Sequence, residues 1–347
     1  MRMHAGKDSK MKAAVFYGKG DIRVEEHAIP APAADQVQLR VKAAGVCGTD
    51  MHIYAGAKGA TECEPPVVLG HEFSGVVEQV GAGVTRFRAG DRVTVDPNIA
   101  CHACHFCRTG RPHLCEGMVA TGVNLDGGFA QLCNVREEQT YLLPDGVSFE
   151  EGALCEPVGC CLHGMDMARV HAGDYVVIVG GGPIGQIMLQ LAILSGAAAV
   201  AVVEPIAEKR ALAMKLGAAL TLDPLTQDVP AELKHYGIGH VDVSIECVGR
   251  RETMLDAIRY AGRGATVLLF GLTPPDCEIP FKPFEAFQKE LTVAASFTNP
   301  HTHERAIRLI ASGRLRVREL VGEELALEDV TRALTGAVRP GKTLIRP

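Results

Sequence analysis

Four cysteines stand within the fifteen residues CHACHFCRTGRPHLC, from Cys101 to Cys115, in C-x2-C-x2-C-x7-C spacing. Thiols packed this closely serve a disulfide knot, an iron–sulfur cluster or a closed metal site. The N-terminal segment MRMHAGKDSKMKAAVFYG has neither the apolar run nor the cleavage site of a secretory signal, so a reducing cytosol is expected. Stable disulfides are rare there. A bacterial ferredoxin needs a shorter last gap and a proline after its fourth cysteine, where Glu116 stands here. Four thiolates with no open position match a tetrahedral structural zinc held by Cys101, Cys104, Cys107 and Cys115. His102, His105 and His113 then read as loop side chains, because four sulfurs saturate the metal.

A closed zinc performs no chemistry, so reacting groups are sought elsewhere. GVCGTDMHIY supplies Cys47, VLGHEFSGVV supplies His71 and Glu72, and LCEPVGCCLHG supplies Glu156. One sulfur, one nitrogen and carboxylate oxygens are the donor types of a catalytic zinc, which takes about three protein ligands and keeps one position open. Asp50 is placed to orient the His71 imidazole from behind. The remaining thiols, Cys63, Cys133, Cys155, Cys160, Cys161, Cys247 and Cys277, read as small buried hydrophobes.

A third constellation is VVIVGGGPIG. Gly180, Gly182 and Gly185 fall in G-x-G-x-x-G spacing after a buried strand, with Pro183 and Ile184 opening a helix. The first glycine permits the tight turn, the second lets a pyrophosphate approach the backbone, and the third lets helix and strand pack closely. The phosphates meet the positive helix N-terminus. Glu204 ends the next strand, where a carboxylate accepts from ribose hydroxyls and repels a 2′-phosphate, so NAD is expected rather than NADP. Lys209 and Arg210 read as helix-surface charges.

These groups need two kinds of scaffold. Residues 11 to about 145 hold short β-like runs (KAAVFYG, QVQLRVKAAGV, FSGVVEQVG, DRVTVDP) separated by turn residues, which reads as a mostly antiparallel β half. From Tyr175 the pattern changes to buried strands alternating with helices: YVVIVG, GGPIGQIMLQLAILSGA, VAVVE, AEKRALAMKLGA, VDVSIECVG, RETMLDAIRYAG, GATVLLFG and LTVAASF. That alternation means βαβ units and a doubly wound parallel sheet, so the fold class is α/β. A helix, THERAIRLIASG, and short β-like pieces close the chain, while residues 1–10 read as a loose extension.

With 347 residues, two domains are expected. Forty-one acidic against 35 basic residues leave a formal charge of −6, and the cysteine lobe carries no basic stripe. Nucleic-acid and membrane-surface partners are therefore not expected. No apolar stretch approaches the roughly 18–20 residues that span a bilayer.

CGTDMHIY, GHEFSGVVEQVG, the four-cysteine lobe, EPVG and GGGPIG occur in the order found in the zinc-containing medium-chain dehydrogenase/reductase family, which the chain resembles from Met11 onward. The resemblance implies a GroES-like mostly-β catalytic domain of residues 11–155 and 298–347, with a Rossmann domain of residues 156–297 inserted. It implies NAD and two zinc ions per subunit. Cys47 and His71 would bind the catalytic zinc, completed by Glu72 or Glu156, between which the sequence does not choose. EPVG, GVNLDGGFAQ and SFTNPHTHERA resemble the sorbitol, xylitol and arabinitol dehydrogenase branch, which implies a polyol substrate. L-threonine dehydrogenases share CGTD-x-HIY but carry a tryptophan soon after, and this chain has none. Thr49 and His52 would pass the substrate proton to solvent. Homodimers or homotetramers joined through the last Rossmann strands are implied. A non-catalytic redox sensor on the same scaffold would be free to lose a ligand or the relay hydroxyl, yet every expected residue type is present.

Overall fold

The β-like runs of the first half pair into sheets whose edges carry the chemical groups. In the computed structural model, which describes residues 9–57, 62–337 and 339–347, the chain divides into two units, Met1–Pro157 with His303–Pro347, and Val158–Thr302.

In the first unit, β1 (Ser9–Gly18) and β2 (Asp21–Ile29) form an antiparallel hairpin. β3 (Gln36–Gly45) leads into the short helix α1 (Gly48–Tyr54), and β4 (Val67–Val68) returns beside β1. β5 (Glu72–Val80), β6 (Arg92–Val95), β7 (Asn98–Ile99), α2 (His105–Arg108), β8 (Val119–Ala120), β9 (Leu132–Arg136), β10 (Thr140–Leu142) and α3 (Phe149–Ala153) follow. α4 (Cys155–Ala168) then runs out of this unit.

The second unit repeats strand and helix: β11 (Tyr175–Val179), α5 (Pro183–Leu194), β12 (Ala199–Val203), α6 (Ala207–Lys215), β13 (Leu220–Leu222), α7 (Val229–Tyr236), β14 (Val243–Glu246), α8 (Arg251–Tyr260), β15 (Thr266–Leu269), α9 (Pro283–Lys289) and β16 (Thr292–Ala295). The chain then re-enters the first unit with α10 (His303–Ala311), β17 (Val321–Ala326), α11 (Val330–Leu334) and β18 (Lys342–Arg346).

A sheet of the first unit has the order β10-β6-β5-β3-β18-β17, with β9 also on β3. The final strand is therefore internal: Leu344 lies opposite Gly45, and Gly45 lies opposite Glu72. Strands from three distant parts of the chain thus meet side by side, with Gly45 and Glu72 at their strand ends. Leu39, Leu69, Phe73 and Phe129 are fully buried in this core.

The second unit is a parallel sheet of order β13-β12-β11-β14-β15-β16. Strand order reverses between β11 and β14, the crevice where such sheets take ligands. Ile178 in β11 and Ile245 in β14 are fully buried, as two-sided coverage requires.

Several elements differ from the sequence reading, among them β1, β13, α7 and the helix α4. β1 begins at Ser9, so the last two residues of the expected loose extension are already strand, while residues 1–8 lie outside the described residues. β13 and α7 were not anticipated. β13 is three residues long, and α7 carries charges around much of its surface, so neither shows a clear period. α7 nevertheless has good end signals: the Asp228 carboxylate accepts from Ala231 N–H at 3.4 Å, and Gly237 ends the helix at φ 100°.

Candidate active site

Cys47 caps α1, and one buried carboxylate fixes its surroundings. Asp50 Oδ2 accepts from Cys47 N–H at 2.8 Å, and its Oδ1 approaches His71 Nδ1 to 3.3 Å without an aligned hydrogen bond. Asp50 is fully buried, so its charge is felt in a low dielectric. With Nδ1 turned to Asp50, the other ring nitrogen is left for a ligand.

His71 is set by a backbone clamp. Gly70, just before it, has φ 95°, and a Cβ there would lie 2.6 Å from the Phe129 ring. Gly127, Gly128 and Phe129 donate their N–H groups to Val68, Gly70 and Leu69 oxygens at 2.8, 2.7 and 3.0 Å. Asp126 Oδ1 accepts from Val68 N–H at 2.9 Å. The GVNLDGGFAQ segment, which carried a resemblance of substrate class, thus also clamps the chain ahead of a predicted ligand.

Glu72 opens β5 and lies against a residue that sequence reasoning missed. Lys342 Nζ donates to Glu72 Oε1 at 2.7 Å and pairs with Oε2 as well. Lys342 is 7% exposed and Glu72 1%. Gly45 between them makes the room, because a Cβ there would sit 2.2 Å from Glu72 Oε2 and 3.0 Å from Lys342 Cε. The only trace in the sequence is a lysine opening the short terminal strand KTLIR.

Donor atoms of Cys47, His71 and Glu72 lie within 4.8 Å of one another. Burial lowers the proton affinity of the His71 imidazole, but Asp50 and Cys47 outweigh it and hold the ring well above the usual histidine range. The cluster therefore draws positive charge. Sulfur, nitrogen and oxygen from three side chains, with His71 and Glu72 buried, fit a zinc site with an open position. Glu156 is buried but stands outside that group. Burial lowers the Lys342 ammonium too, but Glu72, Cys47 and Glu156 together hold it above the ordinary lysine value.

The cysteine lobe closes on itself. Cys101, Cys104, Cys107 and Cys115 bring their sulfurs within 4.8 Å of one another. Cys101 Sγ accepts from Ala103 and Cys104 N–H at 3.4 and 3.3 Å, and Cys115 Sγ accepts from Cys101 N–H at 3.2 Å. Backbone N–H groups of Cys107 and Glu116 pull the Cys104 thiol below its ordinary value. Such donors stabilise thiolates, the form that binds metal. His102 and His105 turn elsewhere, toward Glu138 at 3.7 Å and toward Phe106 and Arg111.

In the second unit, the glycine turn sits at the crevice. Gly180 has φ 104° and donates to Val203 O at 2.8 Å, while a Cβ on Gly185 would lie 1.9 Å from Gly180 O. Gly182 caps α5, whose first residues are Pro183 and Ile184. Glu204 Oε2 accepts from Gly181 N–H at 2.7 Å and Oε1 from Ile206 N–H at 2.9 Å. Arg210, read from the sequence as a surface charge, is instead drawn inward. It donates to Glu204 O at 2.7 Å and pairs with Asp223 at 3.3 Å.

Two family models match the chain. An alcohol dehydrogenase GroES-like domain covers residues 33–145, and a zinc-binding dehydrogenase domain covers residues 183–312. The chain belongs to the zinc-binding alcohol dehydrogenase family. Among its relatives, the sorbitol dehydrogenase of Bacillus subtilis is 33% identical over 334 residues, 95% of this chain and 94% of the relative. The L-threonine 3-dehydrogenase of Caldanaerobacter subterraneus subsp. tengcongensis is 35% identical over 276 residues, 79% of each chain. A solved structure of a Sinorhizobium meliloti 1021 protein, assigned as a zinc-binding dehydrogenase and bound to NADP, superposes with TM-score 0.94 at 38% identity, covering 98% of this chain and 100% of that one.

As a zinc-binding alcohol dehydrogenase family member, the chain is an oxidoreductase with a GroES-like and a Rossmann-type unit. Thr49 and His52 lie on α1, half-buried and one helical turn apart, so they share a face. Lys342 and Gly45 escaped the sequence reading, because one acts through a partner distant in sequence and the other through bulk it lacks. Among the described residues, no helix is long and apolar enough to cross a membrane.

Proposed function

We propose that the protein is a zinc- and NAD-dependent polyol dehydrogenase, oxidising a secondary hydroxyl of a sugar alcohol to a ketose. The observation that carries this is the donor group of half-buried Cys47 with buried His71 and Glu72, backed by Asp50, in one chain with a dinucleotide turn beside Glu204. The full-length similarity to a sorbitol dehydrogenase, against shorter coverage of the threonine enzyme, favours a polyol.

A zinc ion bound there would supply Lewis acidity toward the substrate hydroxyl, and bound NAD would supply the hydride acceptor. Cys47, His71 and Glu72 hold the metal, while Asp50 keeps Cys47 and His71 in place. Glu156 adds negative charge beside Lys342, within reach of the same region. Thr49 takes the hydroxyl proton, and His52, one helical turn further on, passes it to solvent. Cys101, Cys104, Cys107 and Cys115 hold a second, structural zinc. Gly180, Gly182, Pro183, Ile184 and Gly185 cradle the pyrophosphate. Glu204 takes the adenosine ribose, and the engagement of Arg210 with Glu204 O and Asp223 leaves it poorly disposed toward a 2′-phosphate.

Exposed Phe281, Phe284 and Phe287 beside the edge strand β16 support a homodimer or homotetramer. Twelve free thiols fit the reducing cytoplasm.

The test is NADH formation by zinc-loaded protein over sorbitol, xylitol, ribitol, both arabinitols, galactitol, L-threonine and simple secondary alcohols, each with NAD and NADP. Turnover of a polyol with NAD is expected. Turnover of L-threonine alone, or of polyols with NADP only, would overturn the substrate or the cofactor assignment respectively. Silence across the panel with zinc and NAD both bound would favour the redox-sensor reading.

A further inference from the structure

Both backbone groups of Gly181 are held by side chains, and the second holder is Gln186. On one side, Gly181 N–H donates to Glu204 Oε2 at 2.7 Å. On the other, Gln186 Nε2 donates to Gly181 O at 3.0 Å and also to Lys209 O at 2.9 Å. Gln186 lies in the first turns of α5 and is 2% exposed. Its Oε1 is buried with no hydrogen-bond partner. Turning the amide over would place that oxygen against two carbonyl oxygens, so the donor assignment follows from the partners.

A buried carbonyl without a partner is costly, and an apolar side chain would fill the same helix position without that cost. The two donated bonds are what an apolar residue would lack. They fix the plane of the Gly181–Gly182 peptide, which follows the Gly180–Gly181 peptide held by Glu204, and tie it to α6, the helix that follows Glu204. The N–H groups in the first turn of α5 lack intrahelical acceptors, and their direction depends on how the chain enters the helix.

We infer that Gln186 is a positioning residue for the dinucleotide, locking the Gly181–Gly182 peptide next to the one Glu204 holds, so that the pyrophosphate-binding turn and the ribose-binding Glu204 are presented together. This rests on the proposed dinucleotide site. Gln186 acts through the Gly181–Gly182 peptide and the α6 backbone, and it should therefore affect the ADP-ribose half of the cofactor.

The experiment measures NADH and ADP-ribose affinity by calorimetry or fluorescence for the zinc-loaded wild type, Gln186→Met and Gln190→Met. Gln190 sits one turn further along α5 and donates to Gln186 O within the same helix, so its replacement controls for lost packing and polarity. Q186M should bind NADH and ADP-ribose about tenfold more weakly, by a common factor, as expected for two lost hydrogen bonds. Q190M should bind both as wild type, and both variants should keep their zinc and melting temperature within a few degrees. Equal affinity in wild type and Q186M, or equal losses in both variants, would overturn the role of Gln186. If Q186M unfolds early, Gln186→Leu is read in its place at a temperature where it is folded. A wild type that binds neither NADH nor ADP-ribose would instead overturn the dinucleotide site itself, and with it this inference.

Discussion

Replacing Lys342 by methionine separates what the ammonium does for the fold from what it does for a metal. In the metal-free protein, Lys342→Met removes one partner of a buried pair with a 2.7 Å contact and leaves the Glu72 carboxylate uncompensated beside Cys47. Breaking such a pair costs about 3–5 kcal/mol. With zinc in place, the cation takes over the compensation of Glu72, and the cost should fall to about 1–2 kcal/mol, the scale of lost stem packing. The thermodynamic cycle turns that difference of about 2–3 kcal/mol into a zinc affinity roughly 30- to 150-fold higher in the folded variant. Thermal unfolding of stripped and zinc-loaded protein, together with zinc competition against a chromophoric chelator, measures both arms. The stripped variant should melt roughly 5–10 °C below wild type, and the loaded one much closer to it. Equal losses in the two states, or easier release of zinc from K342M, would refute the idea that Lys342 and the metal compete for one carboxylate.

Gly45→Ala places a Cβ 2.2 Å from Glu72 Oε2. The carboxylate must move, so the chain should still fold while zinc at the Cys47 cluster is lost to chelator faster than in wild type, which zinc analysis against time will show. His303 is 1% exposed, with a Thr94 contact at 3.4 Å, and burial pushes its imidazole down to about 3. The native state therefore resists a proton that the unfolded chain takes up near pH 6.5, and the stability present above pH 6.5 is lost as pH falls toward about 3. Between pH 6.5 and 5 this group should cost about 2 kcal/mol that His303→Phe does not lose, and identical pH slopes in chemical denaturation would contradict it. His52→Gln should lower turnover about 100-fold while leaving both zinc ions bound, and parallel loss of metal and activity would end the relay assignment.

The chemistry of this chain is dense in local sequence where one segment carries a whole device. The cysteine lobe is such a device, since fifteen residues hold all four sulfurs and the loop brings them together. The glycine turn is another. Strand, glycines and helix are consecutive, and the buried β11 and β12 runs show the parallel sheet through their continuous apolar character. Cys47, His71 and the alternatives Glu72 and Glu156 stand on separate segments, and the order of the family's motifs is what pointed to them.

Tertiary structure decided what depends on register and on space. Lys342 reaches Glu72 because the terminal strand inserts beside β3, a pairing across nearly the whole chain that no local pattern encodes. Gly45 matters through the side chain it lacks, and the reason becomes visible only when Glu72 and Lys342 occupy that volume. The same holds for Arg210, whose charge looked solvated until Asp223 and the Glu204 carbonyl were brought to it. Sequence alone determined the donors that could hold a metal or a dinucleotide. The fold determined which buried charges share them, because a low dielectric makes each long-range neighbour count.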